Sequence, residues 1–300
     1  MTATKSFITV AGRTVSILRA GPDSGEPVLL VHGGRAGVSP IAYGSHIWGP
    51  ALPLLAAGRP VVAVDLPGAG ESDLGSPDML MVDKVCQHLL GVMDALSIGK
   101  AHLIGHDLGG YLGLWLAISA PARLHSLSIL ASPMAPPKGD GLDDITFLAA
   151  PKPLWSRASQ TWAFERLSYG QGHIDDAVVD ACVEAAQGRP HLDAVAALQD
   201  EQLRFRDFGI SALKGKIWAA LRGDGMSVPS QLVWSSHDPQ AARDAGYVLF
   251  QIMAKKQKAT YFHLINRAGS FAFREQPKEF AQVVVSFLDS VDAKLVAGHT

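Results

Sequence analysis

The chain has 300 residues, 48% of them hydrophobic and 18% charged, and a formal net charge of −2. That length and apolar content suffice for a large buried core, as one domain with an insertion or as two. Lysines and arginines are scattered without a basic stripe, which excludes nucleic acid from the expected partners. Two cysteines, Cys86 and Cys182, stand far apart without metal-ligand spacing. They read as buried thiols in a reducing compartment, with no metal expected. The opening stretch MTATKSFITV lacks a charged segment followed by an apolar one. No apolar run approaches the roughly 18 residues of a membrane span. The expectation is a cytoplasmic protein without a membrane partner; homodimerisation is left open.

In chain order, residues 6–10 and 14–20 alternate enough to form two strands, joined at Ala11-Gly12-Arg13 as a hairpin. Pro27 precedes Val28-Leu29-Leu30-Val31, an apolar run suited to the middle of a parallel sheet, which His32-Gly33-Gly34 ends. A Gly-rich loop runs to Gly44, and a helix is predicted over 46–57. Val61-Val62-Ala63-Val64 is a second buried strand, ending in Asp65-Leu66-Pro67-Gly68-Ala69-Gly70-Glu71-Ser72. A helix over 78–96 leads to the apolar run 101–104, and residues 124–130 form the next strand. Strands and helices alternating in this way predict a doubly wound, mostly parallel α/β sheet.

Between residues 133 and 209 the pattern changes. Strand-like runs are absent, and helical stretches near 157–169, 175–187 and 192–206 are separated by prolines and glycines. This reads as a helical cap, inserted in a core made of residues 1–132 and 210–300. Its aromatics, Trp155, Trp162, Phe164, Tyr169 and Phe205, suggest as a group an apolar substrate cavity. The sheet resumes at Gln231-Leu232-Val233-Trp234-Ser235-Ser236, followed by His237-Asp238-Pro239. A helix near 241–253, a last strand over 260–265, the loop Asn266-Arg267-Ala268-Gly269-Ser270 and a helix from Pro277 to about Val291 complete the chain.

The stretch Leu103-Ile104-Gly105-His106-Asp107-Leu108-Gly109-Gly110 organises the rest. A buried strand breaks at Gly105 and an apolar helix begins at Leu108. Glycines on both sides of Asp107 suit a sharp strand-to-helix turn that leaves no room for bulk. This is the pattern of a nucleophile elbow, small-x-nucleophile-x-small, with Asp107 in the central place. The amides opening the following helix favour negative charge there.

Four landmarks in order, Val31-His32-Gly33-Gly34, Asp65 to Ser72, Gly105-His106-Asp107-Leu108-Gly109 and Arg274-Glu275-Gln276-Pro277, resemble the α/β-hydrolase superfamily over nearly the whole chain. The front half is similar to hydrolases that cleave carbon–carbon bonds in ring-fission products. The elbow is similar to epoxide hydrolases and haloalkane dehalogenases, which use aspartate as nucleophile. The resemblance implies Asp107 as the attacking carboxylate, Asp238 as the triad acid, and an oxyanion hole from the amides of Gly34 and Leu108. It places His32, Gly33 and Arg35 beside the substrate, His32 also holding the oxyanion loop. His46 at the entrance and Trp155, Trp162 and Tyr169 in the cap complete the expected substrate-facing set. His106 should point into the fold. No cofactor is implied, and the expected partner is a small apolar molecule.

The chain departs from these families at the triad histidine. Where they read Gly-His after the last strand, this chain reads Gly269-Ser270, and serine has no titratable group near neutral pH. Leu108 stands where dehalogenases carry tryptophan, Gly34-Arg35 where they carry the oxyanion-loop asparagine, and the cap offers one tyrosine, Tyr169, where epoxide hydrolases use two. Three readings follow. One is an enzyme with a depleted triad of Asp107, Asp238 and Ser270, acting on an epoxide, halide or ring-derived compound. A second is a lyase, isomerase or cyclase with Asp107 as general acid or base, and a third is a ligand-binding pseudoenzyme.

Overall fold

Leu29 and Val31 pack into one hydrophobic cluster and Val28 and Leu30 into another. Val62 and Val64 likewise separate from Val61 and Ala63. This period-two division puts apolar side chains on both faces of a sheet, as buried parallel strands require. The computed structural model describes residues 3–137, 149–205 and 207–297, the side chains of 200–205 and 295–297 excepted. Residues 138–148 and the Phe205 side chain, both within the expected cap, lie outside that description.

Among the described residues the sheet has eight strands: β1 (Thr4–Val10), β2 (Arg13–Ala20), β3 (Val28–Val31), β4 (Val61–Val64), β5 (Ala101–His106), β6 (Leu124–Leu130), β7 (Ser230–Ser235) and β8 (Thr260–Ile265). Their order is β1-β2-β4-β3-β5-β6-β7-β8. The β1/β2 hairpin turns at Ala11-Gly12, β2 pairs antiparallel with β4, and the remaining pairs are parallel. The register Val31↔Gly105 and His106↔Leu130 centres β5. Loops leaving the C-terminal ends of β3, β4, β5, β7 and β8 therefore converge on one rim, where open α/β sheets place their sites.

The α-helices of the described residues are α1 (Leu52–Leu55), α2 (Val82–Ala95), α3 (Leu108–Ser119), α4 (Arg157–Leu167), α5 (Asp176–Gln187), α6 (Arg189–Phe205), α7 (Ile210–Arg222), α8 (Arg243–Ala254), α9 (Ala272–Glu275) and α10 (Pro277–Ala297). Two predicted helices are broken. Residues 46–57 divide into a 3-10 segment, Ser45–Ala51, and α1, with non-helical backbone at Gly49 before Pro50. Residues 78–96 divide at Met81, whose backbone is extended (ψ 133°) between a 3-10 turn and α2. Helix α7 was not anticipated, although Ile210, Leu213, Ile217 and Leu221 carry the three-and-four spacing of a helix with one apolar face. It packs on α3, and the Tyr111 hydroxyl donates to Ile210 O at 2.7 Å. Between β6 and β7, the described residues before α7 hold only helices α4–α6 and loops. Phe164 and Leu167 of α4 and Val179 and Cys182 of α5 join the same apolar cluster as α1 and α10. Among the described residues no helix is long and apolar enough to cross a membrane, and no group of three His, Cys, Asp or Glu side chains is placed to hold a metal ion.

Candidate active site

Between β5 and α3 the chain turns at Asp107 with φ 49° and ψ −114°, in a region costly for a residue with a side chain. The turn is tight because backbones touch across it. A Cβ on Gly105 would lie 2.2 Å from Gly109 O, and one on Gly109 would lie 2.2 Å from Val31 O. The apolar β5 and α3 hold the two arms, so the strained residue presents its side chain at the rim.

The Asp107 carboxylate lies against the loop after β3. Gly34 N–H donates to Asp107 Oδ2 at 2.8 Å. Desolvation pushes the Asp107 pKa up to about 6, against the Gly34 and Leu108 amides and the Arg35 guanidinium, with the Asp238 charge adding to the rise. The expected oxyanion loop thus faces the elbow, and one of its amides is engaged by the elbow's own carboxylate.

Asp238, after β7, meets Ser270, after β8. Ser270 Oγ donates to Asp238 Oδ1 at 2.8 Å, an oxygen that also accepts from Gln240 N and Ala241 N. Asp238 Oδ2 is buried without a partner, and burial raises this carboxyl's pKa. The Ser270 loop is fastened by Ser270 N to Leu167 O at 2.8 Å and by Glu275, which accepts from Gly269 N, Tyr169 N and Gly170 N. Glu275 belongs to the Arg274-Glu275-Gln276-Pro277 landmark, and its role as the brace of this loop was not read from sequence.

The imidazoles are mostly committed elsewhere. His32 spans Gly33 O (2.7 Å) and Leu66 N (3.0 Å), which fixes the loop after β3. His106 points inward and donates from Nε2 to Ser270 O at 2.9 Å. Its Nδ1 is buried and unpartnered near the Asp107 carboxylate: a Cβ on Gly33 would be 2.9 Å from the former and 2.8 Å from Asp107 Oδ2. Burial pushes the His106 pKa down to about 3, so it stays neutral. His46 Nε2 accepts from the Cys182 thiol at 3.3 Å, which joins the 3-10 segment to α5; burial lowers the imidazole to about 4 and raises the thiol to about 12.

A cavity of about 30 Å³ adjoins the elbow, its wall including His32, Gly34, Arg35, Tyr43, Leu108 and His191. The Arg35 guanidinium lies 5.7 Å from the centre of the Phe208 ring, another part of that wall. The remaining expected substrate contacts lie outside the lining. Trp155 donates to Ser39 O and packs edge-on against His191. Trp162 packs into the α1/α10 cluster. Tyr169 is 47% exposed and rests on the His237 ring. Trp162 is turned by the rotation of α4, and Trp155 and Tyr169 stand in the loops on either side of it, neither of which composition reveals. Tyr43, His191 and Phe208 line the cavity and were missed. His191 sits one helical turn before Ala194 and Val195, whose backbone lies close to Gly37, a spacing that does face the rim loops.

Comparison with known proteins agrees with this architecture. A 127-residue stretch, 41% of this chain, is 40% identical to the dihydrolipoyllysine-residue acetyltransferase component of the acetoin cleaving system of Pseudomonas putida, of whose length it spans 31%. Over 91% of the chain and 90% of the relative, identity to 2-hydroxymuconate semialdehyde hydrolase from a Pseudomonas sp. is 26%. The structure of a meta-cleavage product hydrolase from Pseudomonas fluorescens superposes with a TM-score of 0.76 at 22% identity, covering 95% of this chain and 97% of that one. The description of the alpha/beta hydrolase family matches residues 28–283. With an eight-stranded, mostly parallel sheet and an elbow at the C-terminal end of β5, the chain belongs to the alpha/beta hydrolase family.

Proposed function

We propose that this protein acts on a small, largely apolar, ring-derived compound by proton transfer at Asp107, without a cofactor. The observation that carries this reading is the Ser270 hydroxyl on Asp238 Oδ1. A hydroxyl cannot take the place of an imidazole base, so an ester on Asp107 would lack its water-activating partner. Asp107, raised to about 6, titrates in the range where a carboxylate exchanges protons efficiently near neutral pH. It would take a proton from a carbon beside a substrate carbonyl and return it at another position. The developing oxyanion would face the Leu108 amide and Arg35. The substrate class is supported by the ring-fission-product hydrolases among the relatives.

Residues 133–209 would serve as a cap, contributing His191 and Phe208 to the cavity wall. About 30 Å³ holds roughly one water, so a ring-sized substrate enters only when that wall moves. The Arg35–Phe208 contact is where the core side of the wall meets the cap side.

The test uses a 2-hydroxymuconate-semialdehyde-type dienol in deuterated water, followed by NMR. Deuterium incorporation or isomerisation without carbon–carbon cleavage, lost in Asp107→Asn, is the expected result. Cleavage products from the wild type would overturn the proton-transfer reading.

The elbow itself favours a second reading, Asp107 as nucleophile. The turn presents the carboxylate, and Gly34 N–H fixes one of its oxygens. A reactive epoxide or alkyl halide would then leave a persistent ester on Asp107, seen as a mass adduct that Asp107→Asn abolishes.

A further inference from the structure

A larger cavity lies at the opposite end of the sheet from Asp107. It opens where β5, β6, β7 and β8 begin and where α10 passes them, and its volume is about 280 Å³. We propose that it is a second ligand site, for a small organic monoanion with an apolar body such as an aryl carboxylate.

The walls and the charges support this ligand class together. Leu124, Val228, Pro229, Phe287 and Val291 make an apolar surface, the first opening β6, the next two just before β7 and the last two from α10. Lys100 and Lys294 stand at the same cavity, and neither has an ion-pair partner among the described residues. Four acids near this end are already engaged. Asp292 bonds Arg59 and His102, Asp289 bonds Arg59, Asp94 bonds Arg123, and Glu26 holds His125 Nε2 at 2.7 Å. His125 also lines the cavity, with a side chain 10% exposed and a buried, unpartnered Nδ1. Two lysines without an ion-pair partner among the described residues, beside an apolar hollow, match a ligand with one anionic end and one greasy end. An inorganic anion would leave the hollow empty, and a neutral hydrocarbon would leave the lysines unanswered.

The experiment is NMR titration of the full chain with 2-naphthoate, with 2-naphthamide and inorganic phosphate as controls. Saturable shifts at residues 100, 125 and 261 are expected with naphthoate, with weaker binding of both controls. Replacing both lysines, K100Q with K294Q, should weaken naphthoate roughly tenfold, the usual worth of one charge-assisted hydrogen bond. Ser290 is exposed on α10 at the cavity, so Ser290→Trp should fill it and abolish binding while the fold is retained. Shifts confined to the elbow cavity, equal affinity for the amide, no saturable binding at millimolar naphthoate, or binding untouched by Ser290→Trp would each overturn the proposal.

Discussion

Ser270 holds Asp238 across 2.8 Å with the only proton its side chain can give, and leaves the other carboxylate oxygen of Asp238 buried and unpartnered. On the proposed reading Asp238 and Ser270 stand at the rim where a triad acid and base would, and a serine offers no imidazole to activate water.

Ser270→His should place an imidazole beside Asp238. Asp238 would orient the new imidazole and favour its protonated form, and the orphaned Oδ2 would gain a donor. Hydrolysis of an activated ester or epoxide should rise by about 10²-fold or more, the usual worth of a general base. Proton-transfer activity should fall, since the ring occupies space beside Asp107. Steady-state assays of both reactions check this; a variant unchanged in both would show that position 270 does not face substrate.

Asp107→Asn should abolish activity and raise stability. The raised pKa of Asp107 means that the folded protein disfavours its charge. The folded state binds the proton more tightly than the unfolded state, so stability falls as pH climbs from about 4 to about 6. Removing the charge should therefore stabilise the protein above that window by about 1–3 kcal/mol. Thermal melts at pH 4 and pH 7.5 should show a gain only at the higher pH.

The pH–rate profile should carry the signature of the same group. With Asp107 as base, kcat/KM rises through about 6 and then levels. Arg35 lowers the Asp107 pKa and Asp238 raises it. Arg35→Gln should move the ascending limb to higher pH and Asp238→Asn to lower pH, each by roughly half a unit to one unit. Shifts in the opposite directions would remove Asp107 from the profile.

His191 lines the elbow cavity with Nε2 unpartnered, and burial lowers its pKa to about 4, so it is neutral at pH 7. His191→Gln should lower kcat by roughly tenfold or more if the ring meets substrate, with little change in melting temperature. A melting-temperature drop with kcat unchanged would limit His191 to packing against Trp155.

Arg274 is 4% exposed and donates to Ile47 O at 3.2 Å and to His173 O at 3.0 Å, tying the 3-10 segment to the loop before α5. Arg274→Met should leave both carbonyls without that donor and cost about 2–4 kcal/mol. Limited proteolysis should then cut first between β6 and α7, where the tie is lost.

Local sequence was sufficient for what local physics controls. The all-apolar runs at 28–31, 61–64 and 101–104 admit burial on both faces, so the parallel sheet was legible. Gly105 and Gly109 around Asp107 marked the elbow, because steric exclusion at a tight turn acts over a few residues. The absence of histidine at 270 was equally plain. Tertiary structure alone decided which side chains meet across the rim. Tyr43, His191 and Phe208 reach the cavity while Trp162 and Tyr169 turn away, since helix rotation and loop path are set by packing between distant segments. The same holds for charge. That Asp107 titrates near 6 depends on desolvation and on Gly34, Arg35 and Asp238, groups that only the folded chain brings together.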